Sequence, residues 1–510
     1  MKKLTSLMIL TESLSKAEKR YFRLFSNIQS GDKKYAYLFD LIVKKNTVDA
    51  VYTQFCKKYS SANFNIAVKH LYRTIMDCLI HLHRKQDIQS KIFSLISEAD
   101  ILFERTLIDE AMETLKKAKN TALKYEMYSL LILSRRTELK YLNVTNFKNI
   151  SELQLISKQM KIIEEMKYNR SSNLHSQLYD ILKHRLFYKG YANSEKQKES
   201  LNDLILSELN IIANNSYKGF ETQKLHLLFQ STYYLDSGNY KMAIRFYRTL
   251  IDMFEENKHM ILNPPIYYLQ AITGILNSLK IASLYNEMPF FINKLKKIEQ
   301  GGYAADFNLN VRCLIFLYEF SCSFNTGNFT AASDLISKYN EDLLKNMSLL
   351  RLDIQLDLLI NLTILDIAEG NIKNARKHMK TIMSSGKLFY VLPAYRHARL
   401  INLILQAESE NYDFFENEIK SLKRSIRYEK HLYITEKLLF KFIQNYYLLN
   451  DKKIREKLYR QIEKEVIKIR QNKYEQQLLV VFDFISWIQS KLTNRKFDKI
   501  LAEKKQIGAP

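Results

Sequence analysis

Between residues 411 and 431 the apolar positions Phe415, Ile419, Leu422 and Ile426 recur every three or four residues, the spacing of one helix face. The same reading predicts helices over Ser15–Asn27, Lys34–Val43, Val48–Tyr59 and Phe64–His83. Ser15 stands as an N-cap with Glu18 three residues on, the arrangement of a capping box, and Thr47 precedes the third of these helices. The Ser60-Ser61-Ala62-Asn63 turn separates the third from the fourth.

Further along, the helical pattern is punctuated by a recurring phrase of Gly, Asn and an aromatic or apolar residue, followed by a small or apolar one. It occurs as Gly238-Asn239-Tyr240 with Ala243, Gly327-Asn328-Phe329 with Ala332 and Gly370-Asn371-Ile372 with Ala375. Gly ends a helix in the left-handed conformation, Asn tolerates that region, and the small residue lets the next helix approach closely. Each phrase therefore predicts the turn of a helical hairpin. Degenerate copies keep the Asn and the later apolar anchor at Thr145-Asn146-Phe147 with Ile150, Tyr285-Asn286 with Phe290, Glu410-Asn411-Tyr412 with Phe415, and Leu449-Asn450 with Ile454. Weaker candidates stand at Thr106 with Ala111 and at Gly190-Tyr191. The turns then fall roughly every 40 to 48 residues, in the range of helix-pair repeats, and about nine hairpins account for most of the chain.

The run from Tyr234 through Gly238, Tyr240, Ala243 and Tyr247 resembles the turn and second helix of a tetratricopeptide repeat, which places Gly, an aromatic, Ala and a further aromatic at these offsets. Gly327 to Ile336 and Gly370 to Met379 match three of those four positions. The period exceeds that family's 34 residues, no Trp opens the repeats (Trp487 is the only one), and the closing Pro is missing. The resemblance implies a divergent, right-handed α-solenoid with lengthened helices and a groove for peptides or protein surfaces. It implies no catalytic residue and no cofactor.

Composition fits an all-α chain: 46% of the 510 residues are hydrophobic, and 5 Pro and 11 Gly leave little room for a turn-rich β architecture. The expected organisation is a helical module over residues 1–90, serving as a cap or a helix-turn-helix-like element, a tetratricopeptide-like solenoid over 91–490, and a basic tail over 491–510. Cys56, Cys78, Cys313 and Cys322 form no Cys-x-x-Cys pair, which suits reduced thiols and a cytoplasmic location. Met1-Lys2-Lys3 and the stretch Leu4 to Leu10 imitate a secretory signal, but Thr5, Ser6 and Glu12 interrupt it. The longest apolar candidate for a membrane span, Leu478 to Ile488, is split by Asp483.

The formal charge of +24 is concentrated at the ends: 16 basic against 6 acidic side chains in the first 85 residues, and 22 against 12 from residue 416 onward. Two faces could receive an anionic partner. Asn65, Lys69 and Arg73 share one side of the fourth N-terminal helix, although Asp77 lies one turn on and apolar residues from Ile66 to Ile80 suggest burial between neighbours. Lys420, Lys423, Arg424 and Arg427 follow i, i+3, i+4, i+7 spacing beside the Phe415 to Ile426 stripe, with Lys430 and His431 extending them. There is no Gly-rich phosphate loop, no His-Glu-x-x-His and no Gly-x-Ser-x-Gly elbow. His81 and His83 point to different sides of a helix, and Cys313 and Cys322 are out of phase, so neither pair predicts a metal site. The expectation is a non-catalytic adaptor for a protein or peptide, with a nucleic-acid-associated regulator as the alternative.

Overall fold

The computed structural model of the chain describes residues 2–28, 34–44, 47–83, 87–190, 192, 194–214, 219–410, 413–427, 432–448 and 451–506. Among these residues every regular element is a helix and no β-strand occurs. None of the described helices is long and apolar enough to cross a membrane. The chain divides into two compact units: one of residues 1–170 with 259–266 and 302–308, the other of residues 171–258, 267–301 and 309–510.

The first unit opens with α1 (Lys2–Ser13), α2 (Lys16–Ile28), α3 (Lys34–Lys44), α4 (Val48–Lys58) and α5 (Ser61–His83). These five share one apolar core that includes Leu4, Leu7, Phe22, Phe39, Phe55, Phe64 and Leu71. The capping box at Ser15 forms as its spacing predicts: the Ser15 N–H donates to Glu18 Oε2 at 2.7 Å, and the Glu18 N–H to Ser15 Oγ at 3.2 Å. Thr47 takes the extended N-cap conformation without a side-chain bond. The fourth helix begins at Ser61 rather than Phe64, because the Asn63 N–H reaches the Ser60 carbonyl and closes the first turn early. Next come α6 (Ile88–Glu104), α7 (Ile108–Lys124), α8 (Tyr128–Val144) and α9 (Glu152–Lys189), with α6 packed on α7 and α7 on α8. The boundary between the units falls inside α9, after Arg170.

The second unit continues with α10 (Glu195–Glu199), α11 (Asn202–Asn214), α12 (Phe220–Asp236), α13 (Tyr240–Glu256), α14 (Ile266–Ile281), α15 (Met288–Glu299), α16 (Ala305–Phe324) and α17 (Phe329–Lys345). After these come α18 (Leu352–Ala368), α19 (Ile372–Ser384), α20 (Gly386–Phe389), α21 (Ala394–Glu408), α22 (Asp413–Arg427) and α23 (Ile434–Gln444). The chain closes with α24 (Lys452–Gln471), α25 (Glu475–Leu479), α26 (Phe484–Thr493) and α27 (Phe497–Gln506).

The three Gly-Asn phrases are hairpin turns. Gly238, Gly327 and Gly370 adopt φ of 74°, 79° and 78°. The amide of the following Asn returns to the carbonyl five residues earlier, at Tyr234, Ser323 and Asp366, so each helix ends in a Schellman-type turn. The Asn residues themselves are not left-handed. Asn239, Asn328 and Asn371 have negative φ and cap the next helix by accepting from the backbone N–H groups of Met242, Ala331 and Asn374 at 3.3, 3.1 and 3.4 Å. Ala243, Ala332 and Ala375 are buried where the paired helices meet.

Of the positive-φ residues, Thr106, Phe147, Gly190, Gly238, Ser283, Gly327, Gly370 and Glu410 follow one another at intervals of 40 to 48 residues; Asn146 and Asn149 flank Phe147, and Gly219 and Asn494 stand outside the series. The degenerate turn expected at Tyr285-Asn286 is centred two residues earlier, on Ser283, because Tyr285–Glu287 form a 3-10 turn of their own. A further left-handed residue, Glu126, joins α7 to α8 with no Gly or Asn to announce it. Asn411, Tyr412, Leu449 and Asn450 lie outside the described residues. Thr106 is the most strained of these positions, since a β-branched residue at φ 64° crowds its own carbonyl. Thr106→Gly is expected to stabilise the first unit by about 0.5–1 kcal/mol after the entropy of the freer unfolded chain is subtracted. Scanning calorimetry would then show its transition a few degrees higher, and an unchanged or lower midpoint would refute the strain.

Hydrogen bonds between successive pairs recur at the same period. Tyr141 Oη donates to Asp100 across 41 residues in the first unit. In the second, Tyr318 Oη donates to Asn277 (41 residues), the Arg351 N–H to Asn310 Oδ1 (41), the Arg396 guanidinium to Glu436 (40) and the Ile434 N–H to Glu475 (41). Glu475, with 2% exposure, also accepts from the backbone and hydroxyl of Thr435, so a carboxylate from one pair caps the N-terminus of α23 in another.

The end of the second unit returns to its beginning. Tyr240 Oη donates to the Lys473 carbonyl at 2.9 Å, Tyr474 Oη to Glu195 at 3.0 Å, and Gln477 Nε2 to the Asp236 carbonyl at 3.4 Å. The stretch 491–510, expected as a basic tail, contains α27, whose Phe497 packs on Phe324, Phe329 and Phe482 and whose Leu501 is buried. Gly327 permits this approach: a Cβ there would lie 2.4 Å from the Asp498 carbonyl oxygen.

Candidate functional site

α18 is apolar nearly all round, with Ile354, Leu356, Leu358, Leu359, Ile360, Leu362, Ile364 and Leu365 buried. A helix of this kind is held on most sides by neighbours. Its i, i+4 pair Asp353 and Asp357 marks the open strip, and Asp357 is exposed. α14 is built alike: Gln270, Thr273, Asn277 and Lys280, spaced three, four and three residues apart, stay half-buried while Ala271, Ile272, Ile275, Leu276 and Leu279 are buried. Tyr318 of α16 lies across that strip, donating to the Thr273 carbonyl at 3.2 Å and to Asn277 Oδ1 at 3.0 Å.

Electrostatics place the ends of these strips within reach of one another. Burial pushes the Asp357 carboxyl up to about 6, and Lys280 and Arg351 oppose the rise. Lys280 is drawn below the ordinary lysine value by burial, with Asp357 holding it up. His397 of α21 is pulled down to about 4 by burial and then by Arg396 and Lys280. Asp357 is open to water by area yet desolvated by the protein around it. Both hold together when a side chain lines a recess. Lys183 behaves in the same way: it is exposed, and burial followed by Arg351 lowers its pKa. Lys280 and Asp357 make no hydrogen bond or close ion pair with each other among the described residues, and His397 Nδ1 is buried without a close hydrogen bond, the Pro393 carbonyl one turn back only weakly opposing the fall of its pKa. Arg351, by contrast, is held by Asp353. The result is a polar seam in the second unit, contributed by helices from successive pairs, in which Lys280 and Asp357 lie within electrostatic reach without a direct bond.

The residues singled out by sequence lie elsewhere. On α22, Phe415, Ile419 and Leu422 are buried and Lys420, Lys423 and Arg424 are exposed, as the helical spacing requires. Lys420 pairs with Glu416 at 3.1 Å, both side chains well exposed, and the Lys423 ammonium lies 5.8 Å from the Phe440 ring centroid. Arg427 ends the helix; its side chain, Lys430 and His431 lie outside the described residues. On α5, Lys69 and Arg73 are exposed together with Asn65, while Phe64, Ala67, Val68, Leu71, Ile75 and Cys78 fill the core. The expected burial on nearly every side does not hold, since Ile66 and Ile80 are 66% and 62% exposed. Asp77, also exposed, follows Arg73 by one turn.

Lys280, Asp357 and His397 carry no signal in sequence spacing, because they meet only when three helices more than thirty residues apart are stacked. The trace that could have pointed to them is the polar strip of α14 inside an otherwise apolar helix. A cleft of about 180 Å³ lies between α23 and α24, floored by Leu438, Phe442, Leu458 and Ile462 and rimmed by Lys437, Lys441 and Glu465. Among the described residues no three His, Cys, Asp or Glu side chains group as a metal site would require. All four cysteines are free thiols; burial pushes Cys78 up to about 11 and Cys313 higher still. Neither is poised as a nucleophile. No family model, no curated protein and no solved structure matches this chain.

Proposed function

We propose that this chain is a non-catalytic interaction scaffold that holds a peptide or an extended segment of a protein along the polar seam of its second unit. The observation that carries this reading is the Lys280, Asp357 and His397 constellation: a cation and an anion within electrostatic reach but not paired, with a buried imidazole beside the cation. A peptide backbone offers a carbonyl to the ammonium and an N–H to the carboxylate, so an extended segment is recognised through its main chain. The tetratricopeptide-like turns supply a reason for the layout, since stacked helix pairs present one helix of each pair to a common surface.

The test is a peptide-library selection on the purified full chain. Selected peptides should bind the Lys280→Ala/Asp357→Ala variant at least about 10-fold more weakly, about 1.4 kcal/mol, while Lys420→Ala/Arg424→Ala leaves them unaffected. The circular dichroism spectrum and melting point should remain those of the parent. Peptides that bind both variants equally would sink the assignment of the seam.

A second reading, association with nucleic acid, is favoured by the exposed Asn65, Lys69 and Arg73 face of α5. It requires log affinity for duplex DNA or RNA to fall steeply with log salt and to weaken in Lys69→Ala/Arg73→Ala. Its absence at low ionic strength would remove that reading.

A further inference from the structure

The first half of α9 is seated on α8 by several polar contacts, alongside buried Ile162 and a stack of Tyr168 on Tyr128 with ring centroids 5.4 Å apart. The Arg135 side chain of α8 donates to both Glu165 oxygens at 2.7 Å, Lys158 donates to Glu138 at 2.9 Å, and Ser129 donates to Asn169 at 3.0 Å. Glu165 is buried, with Ile162 beside it. An ordinary surface helix turns its apolar face inward and its charges outward. Here the inner face mixes ion pairs with apolar and aromatic contacts, and the outer face carries Leu153, Ile156, Met160 and Ile163 at 79%, 50%, 61% and 51% exposure.

Their spacing of three, four and three residues is the a and d pattern of a two-stranded helical seam, narrower than the stripe of a helix buried in a core. With Met166, which is 47% exposed, these side chains leave on the order of 500 Å² of apolar surface open, as much as a whole monomer's largest patch. Two such faces would together bury about 1,000 Å², the lower bound of a specific interface.

We infer that this stripe joins two copies of the chain, α9 against α9 in antiparallel two-fold contact. The stripe is complementary to itself when reversed: Leu153 meets Ile163 of the second copy, and Ile156 meets Met160. Every layer is then apolar on apolar, as an isologous interface requires. Ser157 and Gln159, which flank the middle of the stripe, are uncharged, so no like charges face each other at the two-fold axis. The formal charge of +24 on each copy acts at longer range and opposes approach. Salt screens that repulsion and leaves the apolar contact intact, so the dimer strengthens as ionic strength rises, the reverse of a contact held by ion pairs.

The experiment is analytical ultracentrifugation of the full chain from about 0.5 to 50 µM, at roughly 50 and 500 mM NaCl, ionic strengths that span the Debye lengths concerned. The expected result is a species of twice 60.5 kDa that gains population at the higher salt. Ile156→Glu/Met160→Glu should weaken association at least about 100-fold, because it buries like charges at the centre of the contact. Both positions are exposed, so the fold should persist. Should that variant lose its helical signal, Leu153→Gln/Ile163→Gln decides in its place, with the same dissociation expected. A monomer throughout, a dimer that either folded variant leaves intact, or one that salt dissociates overturns the inference.

Discussion

Arg396→Ala is expected to destabilise the second unit by about 3–5 kcal/mol, the range found when one partner of a buried ion pair is removed. Arg396 of α21 grips Glu436 of α23 with two bonds, Nε to Oε1 at 2.7 Å and a terminal nitrogen to Oε2 at 2.6 Å. Glu436 has no exposure at all, so the truncation leaves a carboxylate that water cannot reach. The Arg396 guanidinium also lies 5.4 Å from the Tyr433 ring centroid, and Glu436 closes the capping box of α23 by accepting from the Tyr433 N–H at 3.0 Å. Losing the arginine therefore loosens the start of one helix and its seat on another. Arg396→Met/Glu436→Gln, which removes both charges but keeps the volume and a capping oxygen, should recover most of the loss. Denaturant unfolding of the single and double variants measures this directly, and a single variant within about 1 kcal/mol of the parent would show that water reaches the pair.

Gly274→Ala carries the other large effect, a cost of about 2–4 kcal/mol from overpacking. Gly274 is buried in α14, where helix propensity alone would favour Ala by about 1 kcal/mol. Packing reverses that preference: a Cβ at this position would lie 2.2 Å from Cζ of Tyr247, whose ring is itself buried. The ring has no easy exit, since its hydroxyl lies 3.4 Å from Thr232 Oγ1 of α12 inside the joint between α12, α13 and α14. Tyr247→Leu removes the clashing ring atoms, so the double variant should cost less than the two single changes added together, by at least about 1 kcal/mol. Strict additivity of the two melting shifts would mean that the side chains do not meet.

Tyr247 and Gly274 also show how far the sequence could be read. The tetratricopeptide-like pattern identified Tyr247 as the second aromatic of its repeat, and it is a core residue. Nothing in the 26 residues between the two announced that this ring requires a glycine on the next helix. The contact is specified by the angle at which α13 and α14 cross.

Helix existence, the Schellman-type turns and the capping box at Ser15 were legible because each depends on residues within about one helical turn of each other, and the 40 to 48 residue period is read from the spacing of those turns. Local steric rules act there without help from the rest of the fold. Thr106, Ser283 and Glu126 were weakly marked or unmarked for the converse reason: packing on both sides holds an ordinary residue left-handed, and the strain is offset elsewhere. The exposed Ile66 and Ile80 of α5, and the outward apolar stripe of α9, likewise escaped a reading in which apolar means buried.

What the sequence by itself determined is an all-helical chain of punctuated pairs, with its charge gathered at the two ends and the Lys420 to Arg424 face turned to solvent. Only the tertiary structure decided which polar residues meet. Stacking brings Lys280 within electrostatic reach of Asp357 and of His397, Glu436 is buried by its neighbours, and the final helices fold back onto Gly327 and Tyr240. The reason is one of range: hydrogen bonds and dihedral preferences act over a few residues and leave a local imprint, whereas burial and charge pairing depend on surfaces that exist only after the helices have packed.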